Sequence, residues 1–107
     1  MGETMGNLFD EGLIGLTVAN VDRNDGVLRL RFVDQSTLNI NNSVKIAGGA
    51  GSDLKGTTIF RLSSDDASFV IHFDRGLTVT VGLSDEDYDG PESMELWLAD
   101  GRIVVWR

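Results

Sequence analysis

Three carboxylates at alternate positions, Asp85, Asp87 and Asp89, precede Gly90 in the run Asp85-Glu86-Asp87-Tyr88-Asp89-Gly90. Acids spaced in this way can converge on one hard cation, and the glycine permits the sharp turn that brings later ligands round. Calcium is the natural ion, with Ser93 placed to ligate through water. A complete calcium loop ends in a bidentate glutamate, however, and Leu96 stands at that position while Glu92 and Glu95 fall out of register. The spacing therefore describes at most a weak calcium site built from Asp85, Asp87, Asp89 and Ser93. No other cofactor is expected, and the competing reading is a solvated acidic loop.

His72 is the only histidine, which excludes multi-histidine metal centres. Alternation puts Phe69, Ile71 and Phe73 on one strand face and His72 on the other, beside Val70, Thr78 and Thr80. With a nearby Asp or Glu, His72 could serve a hydrolase as acid and base, but no serine stands in a Gly-x-Ser-x-Gly turn. Gly48-Gly49-Ala50-Gly51 followed by Lys55-Gly56-Thr57 suggests a phosphate loop. The order there is Lys-Gly-Thr before a strand, where phosphate binding needs Gly-Lys-Thr before a helix. Pairs of carboxylates suited to glycoside cleavage are too easily found among 17 acids to point anywhere. No catalytic constellation emerges, and the chain reads as a non-enzyme.

The elements that must hold these residues follow from length and pattern. At 107 residues and 41% hydrophobic content, one domain with a single core is expected. Cysteine is absent, which removes disulfide frameworks and thiolate chemistry. Seventeen acids against nine bases give a formal charge of −8, which opposes sequence-independent nucleic-acid binding and leaves only a local basic patch open; no nucleic-acid partner is expected. No apolar run reaches the roughly 18 residues of a membrane span, and a cytoplasmic protein off the membrane is expected.

Met5, Leu8 and Phe9 fall at helical spacing between Thr4 and Gly12, which predicts a short helix in an N-terminal arm over residues 1–12. From Leu13 the period changes to two, and residues 13–107 read as a β-domain. Strands are expected at Leu13–Asn20, Val27–Val33, from Thr37, at Thr57–Ser63, Phe69–Phe73 and Leu77–Leu83, and in the two arms of a final hairpin. Phe32 is expected opposite Leu38, and Leu30 opposite Ile40. A three-residue loop at Asp74-Arg75-Gly76 keeps Phe73, Ile71 and Phe69 opposite Leu77, Val79 and Val81. Ala47–Gly56 reads as a loop. The fold class is all-β, mainly an antiparallel meander of hairpins in a roll, sandwich or small barrel, with that short N-terminal helix.

In the final hairpin, Asp100-Gly101 suits a two-residue turn. That register pairs Leu96 with Val105 and Trp97 with Val104, so Leu96, Leu98, Ile103 and Val105 share one face while Trp97, Val104 and Trp106 share the other. Both faces are then apolar. Ile59 and Val70 are expected to join the second one, and a patch holding two tryptophans needs a cover. The N-terminal helix through Met5, Leu8 and Phe9, a second copy of the chain or a foreign partner could supply it; the short helix is expected to cover part and a homodimer the rest.

The span from about residue 56 to 106 carries Phe73, Gly76, Leu77 and Val79, then Gly90-Pro91-Glu92, and ends in Asp-Gly-x-Ile-Val-Val-Trp. It resembles a loose group of small uncharacterised bacterial β-rich proteins, some encoded beside toxin–immunity loci or in mobile gene cassettes. The resemblance implies a bacterial accessory protein and transfers no site residue. Together with the charge it suggests an acidic, immunity- or inhibitor-like interaction module, with Asp85, Glu86, Asp87, Asp89, Glu92 and Glu95 facing a basic protein partner. A small-molecule or calcium-binding β-module is the second expectation, and a small hydrolase the third.

Overall fold

A computed structural model of the chain describes residues 12–24, 26–83 and 94–106. Nine strands lie among them: β1 (Val18–Asn24), β2 (Val27–Phe32), β3 (Thr37–Ile40), β4 (Val44–Ala47), β5 (Ile59–Ser64), β6 (Ser68–Phe73), β7 (Thr78–Gly82), β8 (Met94–Trp97) and β9 (Ile103–Trp106). They form a five-stranded sheet in the order β1-β2-β3-β8-β9 and a four-stranded sheet in the order β4-β7-β6-β5, antiparallel throughout. The second sheet is thus inserted between β3 and β8, which are neighbours in the first. The all-β expectation holds.

Strand alternation builds the core. In β2, Leu28, Leu30 and Phe32 are buried while Arg29 and Arg31 are exposed, and β6 buries Phe69, Ile71 and Phe73. One apolar cluster takes residues from both sheets, so the two layers cover each other's inner faces. Along one side the layers are also stitched by backbone. Val18 N–H donates to Thr57 O and Ile59 N–H to Leu16 O, at 2.8 and 2.9 Å. Register shifts at Val18/Asn20 and Ile59/Arg61 bend β1 and β5 at this corner.

Several expected boundaries move. The helix over residues 4–12 falls outside the described residues except for Gly12. Leu13, expected to open a strand, has helical backbone with Gly12 and is fully buried; Gly15, at φ +93°, then turns the chain toward β1. β1 instead runs on past the expected end at Asn20 to Asn24, which pairs directly with Val27. β4 was not expected: its Val44 and Ile46 are half-buried and pair with Val81 and Val79. The Gly-rich loop contains a single short helical turn, Gly51–Leu54.

The hairpin registers are the more telling result. β6 and β7 pair as expected, Ile71 with Val79 and Phe69 with Val81, with Gly76 left-handed at φ +78°. β2 and β3 are shifted by two residues from expectation: Leu30 faces Leu38 and Leu28 faces Ile40. The cause is a tight loop, Val33-Asp34-Gln35, in which Gln35 takes φ +76° and Phe32 N–H donates to Ser36 O. A shift of two preserves the buried face. A shift of one does not, and that is what β8 and β9 show: Leu96 pairs with Val104, Trp97 with Ile103 and Met94 with Trp106. Gly101 at φ +96° closes a three-residue loop in which Leu98 N–H donates to Arg102 O.

Turn acids stabilise two of these reversals. Asp65 accepts backbone N–H bonds from Ala67 and Ser68, which hold its carboxyl below the usual range. Asp100 is lowered in the same way, first by the Arg102 N–H. Its ion pair with the Arg102 side chain, at 2.8 Å, is solvent-exposed and adds little to stability.

Candidate functional site

The β1-β2-β3-β8-β9 pairing aligns outward-facing residues in rows across the five-stranded sheet. Asp22 lies beside Arg29, Arg29 beside Asn39, Asn39 beside Glu95 and Glu95 beside Val105. The next row runs through Asn20, Arg31, Thr37, Trp97 and Ile103. At the Asn24–Val27 end the face is hollowed into a cleft of about 630 Å³. Two arginines (Arg23, Arg29), two acids (Asp22, Glu95), three asparagines (Asn24, Asn39, Asn41) and Val27 line it.

Arg29 Nε–H donates to Asn39 Oδ1 at 2.8 Å in the middle of this lining. That bond orients both groups and leaves the guanidinium's outer N–H groups and the Asn39 amide N–H₂ as further donors. The Trp97 indole N–H reaches Glu95 Oε1 at 3.4 Å, so the ring and the carboxylate lie side by side at the cleft's margin. Two positive and two negative side chains make the lining neutral, in a chain whose total charge is −8. The arrangement presents many donors and acceptors and no nucleophile with its base.

Among the expected interface residues, Trp97 is 47% exposed and stands beside Ile103, 49% exposed. The others do not join them. Ile59 is fully buried, Val104 packs on the core from the opposite face of its hairpin, and Val70 lies on the outer face of the other sheet. Trp106 pairs with Met94 and not with Glu95, because the hairpin closes in three residues. The single two-tryptophan face is therefore corrected to a smaller Trp97–Ile103 pair. Asp85, Glu86, Asp87, Asp89, Glu92 and Ser93 lie outside the described residues, so the calcium loop and most of the acidic surface do too. Glu95 is placed, and it belongs to the cleft.

On the four-stranded sheet, His72 Nε2 is 3.1 Å from Ser63 Oγ and 3.4 Å from Arg61 Nη2. Burial, then the Arg61 charge, hold the imidazole below its ordinary value, so it is neutral at pH 7. A hydrolytic triad requires a carboxylate to orient the histidine, and among the described residues the charged neighbour is Arg61. In the Gly-rich loop, Asp53 Oδ2 accepts the Ala50 N–H at 2.8 Å, so the loop's own carboxylate occupies the position where a phosphate would sit.

These features define an antiparallel two-sheet β-protein with a neutral polar cleft on one outer face. No family model, no curated protein and no solved structure matches the chain. Strand alternation turns Arg29 and Arg31 to the face opposite Leu28, Leu30 and Phe32, but no sequence signal marks the cleft. Most of its lining comes from the consecutive strands β1 to β3, but Glu95 comes from β8, and no local pattern announces the β3–β8 pairing that brings it there.

Proposed function

We propose that the chain is a non-enzymatic binding module whose ligand is a neutral, hydroxyl-rich molecule, a saccharide or similar polyol, held in the outer cleft of the five-stranded sheet. The observation that carries this reading is the lining itself: amides, carboxylates and guanidinium groups without net charge. Vicinal hydroxyls both donate and accept, and this set answers both needs. Binding sites that are mostly apolar suit apolar ligands; a polar concavity suits a polar one. Trp97 supplies a flat apolar ring at the margin, against which the C–H face of a sugar ring can rest. The resemblance to bacterial accessory proteins supports a binding role in a bacterium.

Arg29→Ala is expected to weaken saccharide binding at least tenfold in calorimetric titration, since a site built on hydrogen bonds loses about 1.4 kcal/mol or more when a charged donor goes. Arg29 is exposed, so the fold survives the change. Unchanged affinity would sink the proposal.

The charge of −8 favours a second reading, in which residues 85–95 face a basic protein partner in the manner of an immunity protein. Neutralising Asp85, Asp87 and Asp89 together is then expected to weaken partner binding and flatten its salt dependence. Association of two copies through Trp97 and Ile103 is retained only as part of that reading, because its larger expected face is divided by the observed register.

A further inference from the structure

The outer face of the four-stranded sheet differs in kind from the rest of a strongly acidic chain. Beyond an outward Ser68–Gly82 pair, its strand positions run in two rows, Arg61–His72–Thr78–Ala47 and Ser63–Val70–Thr80–Lys45. Two cations, a histidine and three hydroxyls face outward in these rows. Among the described residues, the strand positions of this face include no carboxylate, although acids outnumber bases 17 to 9 along the chain. Near one edge, three polar heads converge, with Ser63 Oγ and Arg61 Nη2 lying 3.1 and 3.4 Å from His72 Nε2.

We propose that Arg61, His72 and Ser63 form a receptor for a doubly charged oxyanion of the phosphate class. Guanidinium, imidazolium and hydroxyl are each good donors to such an anion, and charge-assisted bonds of this kind are the strong ones. Without an anion, Arg61 Nη2 and Ser63 Oγ both lie against His72 Nε2, and the arginine's charge opposes protonation of the ring. An oxyanion seated among the three heads accepts from Arg61 and Ser63, screens the arginine from the ring and accepts a third bond from a protonated Nε2. Binding is therefore linked to proton uptake by His72. The groups facing this histidine are Arg61 from β5, Thr78 from β7 and the Phe60 ring, with centroids 6.3 Å apart. Lys45 is the other cation, two strands away on β4. Among the described residues, no carboxylate stands at a strand position of this face. This surface lies on the opposite layer from the cleft, so the proposal is independent of the saccharide reading.

The chain has a single histidine, so one proton NMR signal reports the site. The titration midpoint of His72 is measured in sodium sulfate and in sodium chloride at equal ionic strength, sulfate keeping its double charge across the pH range. Sulfate is expected to raise the midpoint by about half a pH unit or more. Arg61→Gln is expected to abolish the difference, and Lys45→Gln to leave it. Equal midpoints in the two salts would overturn the proposal, as would a loss caused equally by Lys45→Gln, which would mark diffuse attraction by the whole face. Titration with inorganic phosphate and with free phosphoserine then distinguishes the source: equal responses mean a receptor for the free anion, and a response at lower phosphoserine concentration means a receptor for a phosphoryl group carried on another molecule.

Discussion

Gly48→Ala is expected to lower stability by about 3–4 kcal/mol, the largest effect of any single methyl addition in the described chain. Gly48 has φ +89°, a conformation that costs an L-residue about 1–2 kcal/mol. A Cβ at this position would also run into the carbonyl of Gly76 and crowd the backbone of Leu77, where the end of β4 meets the β6–β7 turn. The obstacle is backbone in a hydrogen-bonded hairpin, so it cannot give way as a side chain would, and overpacking of this kind adds about 1–3 kcal/mol. Gly76→Ala is the control. Its φ is similarly positive, at +78°, but a Cβ there meets open space, and the cost is expected to be about 1 kcal/mol. Urea denaturation of both variants at unchanged m-value checks the contrast. Equal losses would show that the loop does not lie against the turn.

The second large effect tests the register of the last hairpin. Val104→Asp is expected to cost about 2–4 kcal/mol, because Val104 pairs with buried Leu96 and packs on the core, where a carboxylate loses apolar contact and part of its hydration. Ile103→Asp is expected to cost less than about 1 kcal/mol, since Ile103 pairs outward with Trp97. A two-residue turn would reverse the order, putting Ile103 against the core and Val104 outside. Thermal or urea unfolding of the two variants therefore decides between registers that differ by a single residue.

That hairpin also shows why part of the fold was legible and part was not. In β6–β7, the buried strand positions are apolar and the outer ones are Ser, His and Thr with one Val, so only one loop length kept the apolar face whole. In Trp97, Ile103, Val104 and Val105 both parities are apolar, and alternation gives no reason to prefer either register. Asp100-Gly101 then suggested the shorter turn, whereas Gly101 serves as the left-handed residue of a longer one. At Gln35 the signal was absent altogether, because the left-handed position is held by a residue with no special preference for it. β4 escaped notice as four residues beside a Gly-rich loop, too short to show a period. The candidate site was legible only as fragments: the expected β2–β3 register set Arg31 opposite Asn39, two residues from the observed Arg29–Asn39 pair, and Glu95 joined them only through the β3–β8 pairing that brackets the whole second sheet.

The layout separates two surfaces of different chemistry on one scaffold. The rigid core lies between them, so a substitution on one outer face is not expected to disturb the other, and effects at distant exposed sites add. The neutral cleft draws on donors and acceptors from four strands. The proposed oxyanion receptor draws on β5 and β6.

The saccharide reading is tested most directly by titrating ¹⁵N-labelled protein with a panel of neutral mono- and oligosaccharides while following the side-chain amide signals of Asn24, Asn39 and Asn41 and the Nε–H of Arg29. The account predicts saturable shifts in these signals and in the Trp97 indole N–H, with the His72 face unmoved. Saturable shifts confined to other residues, or no shift from any saccharide in the panel, would contradict it.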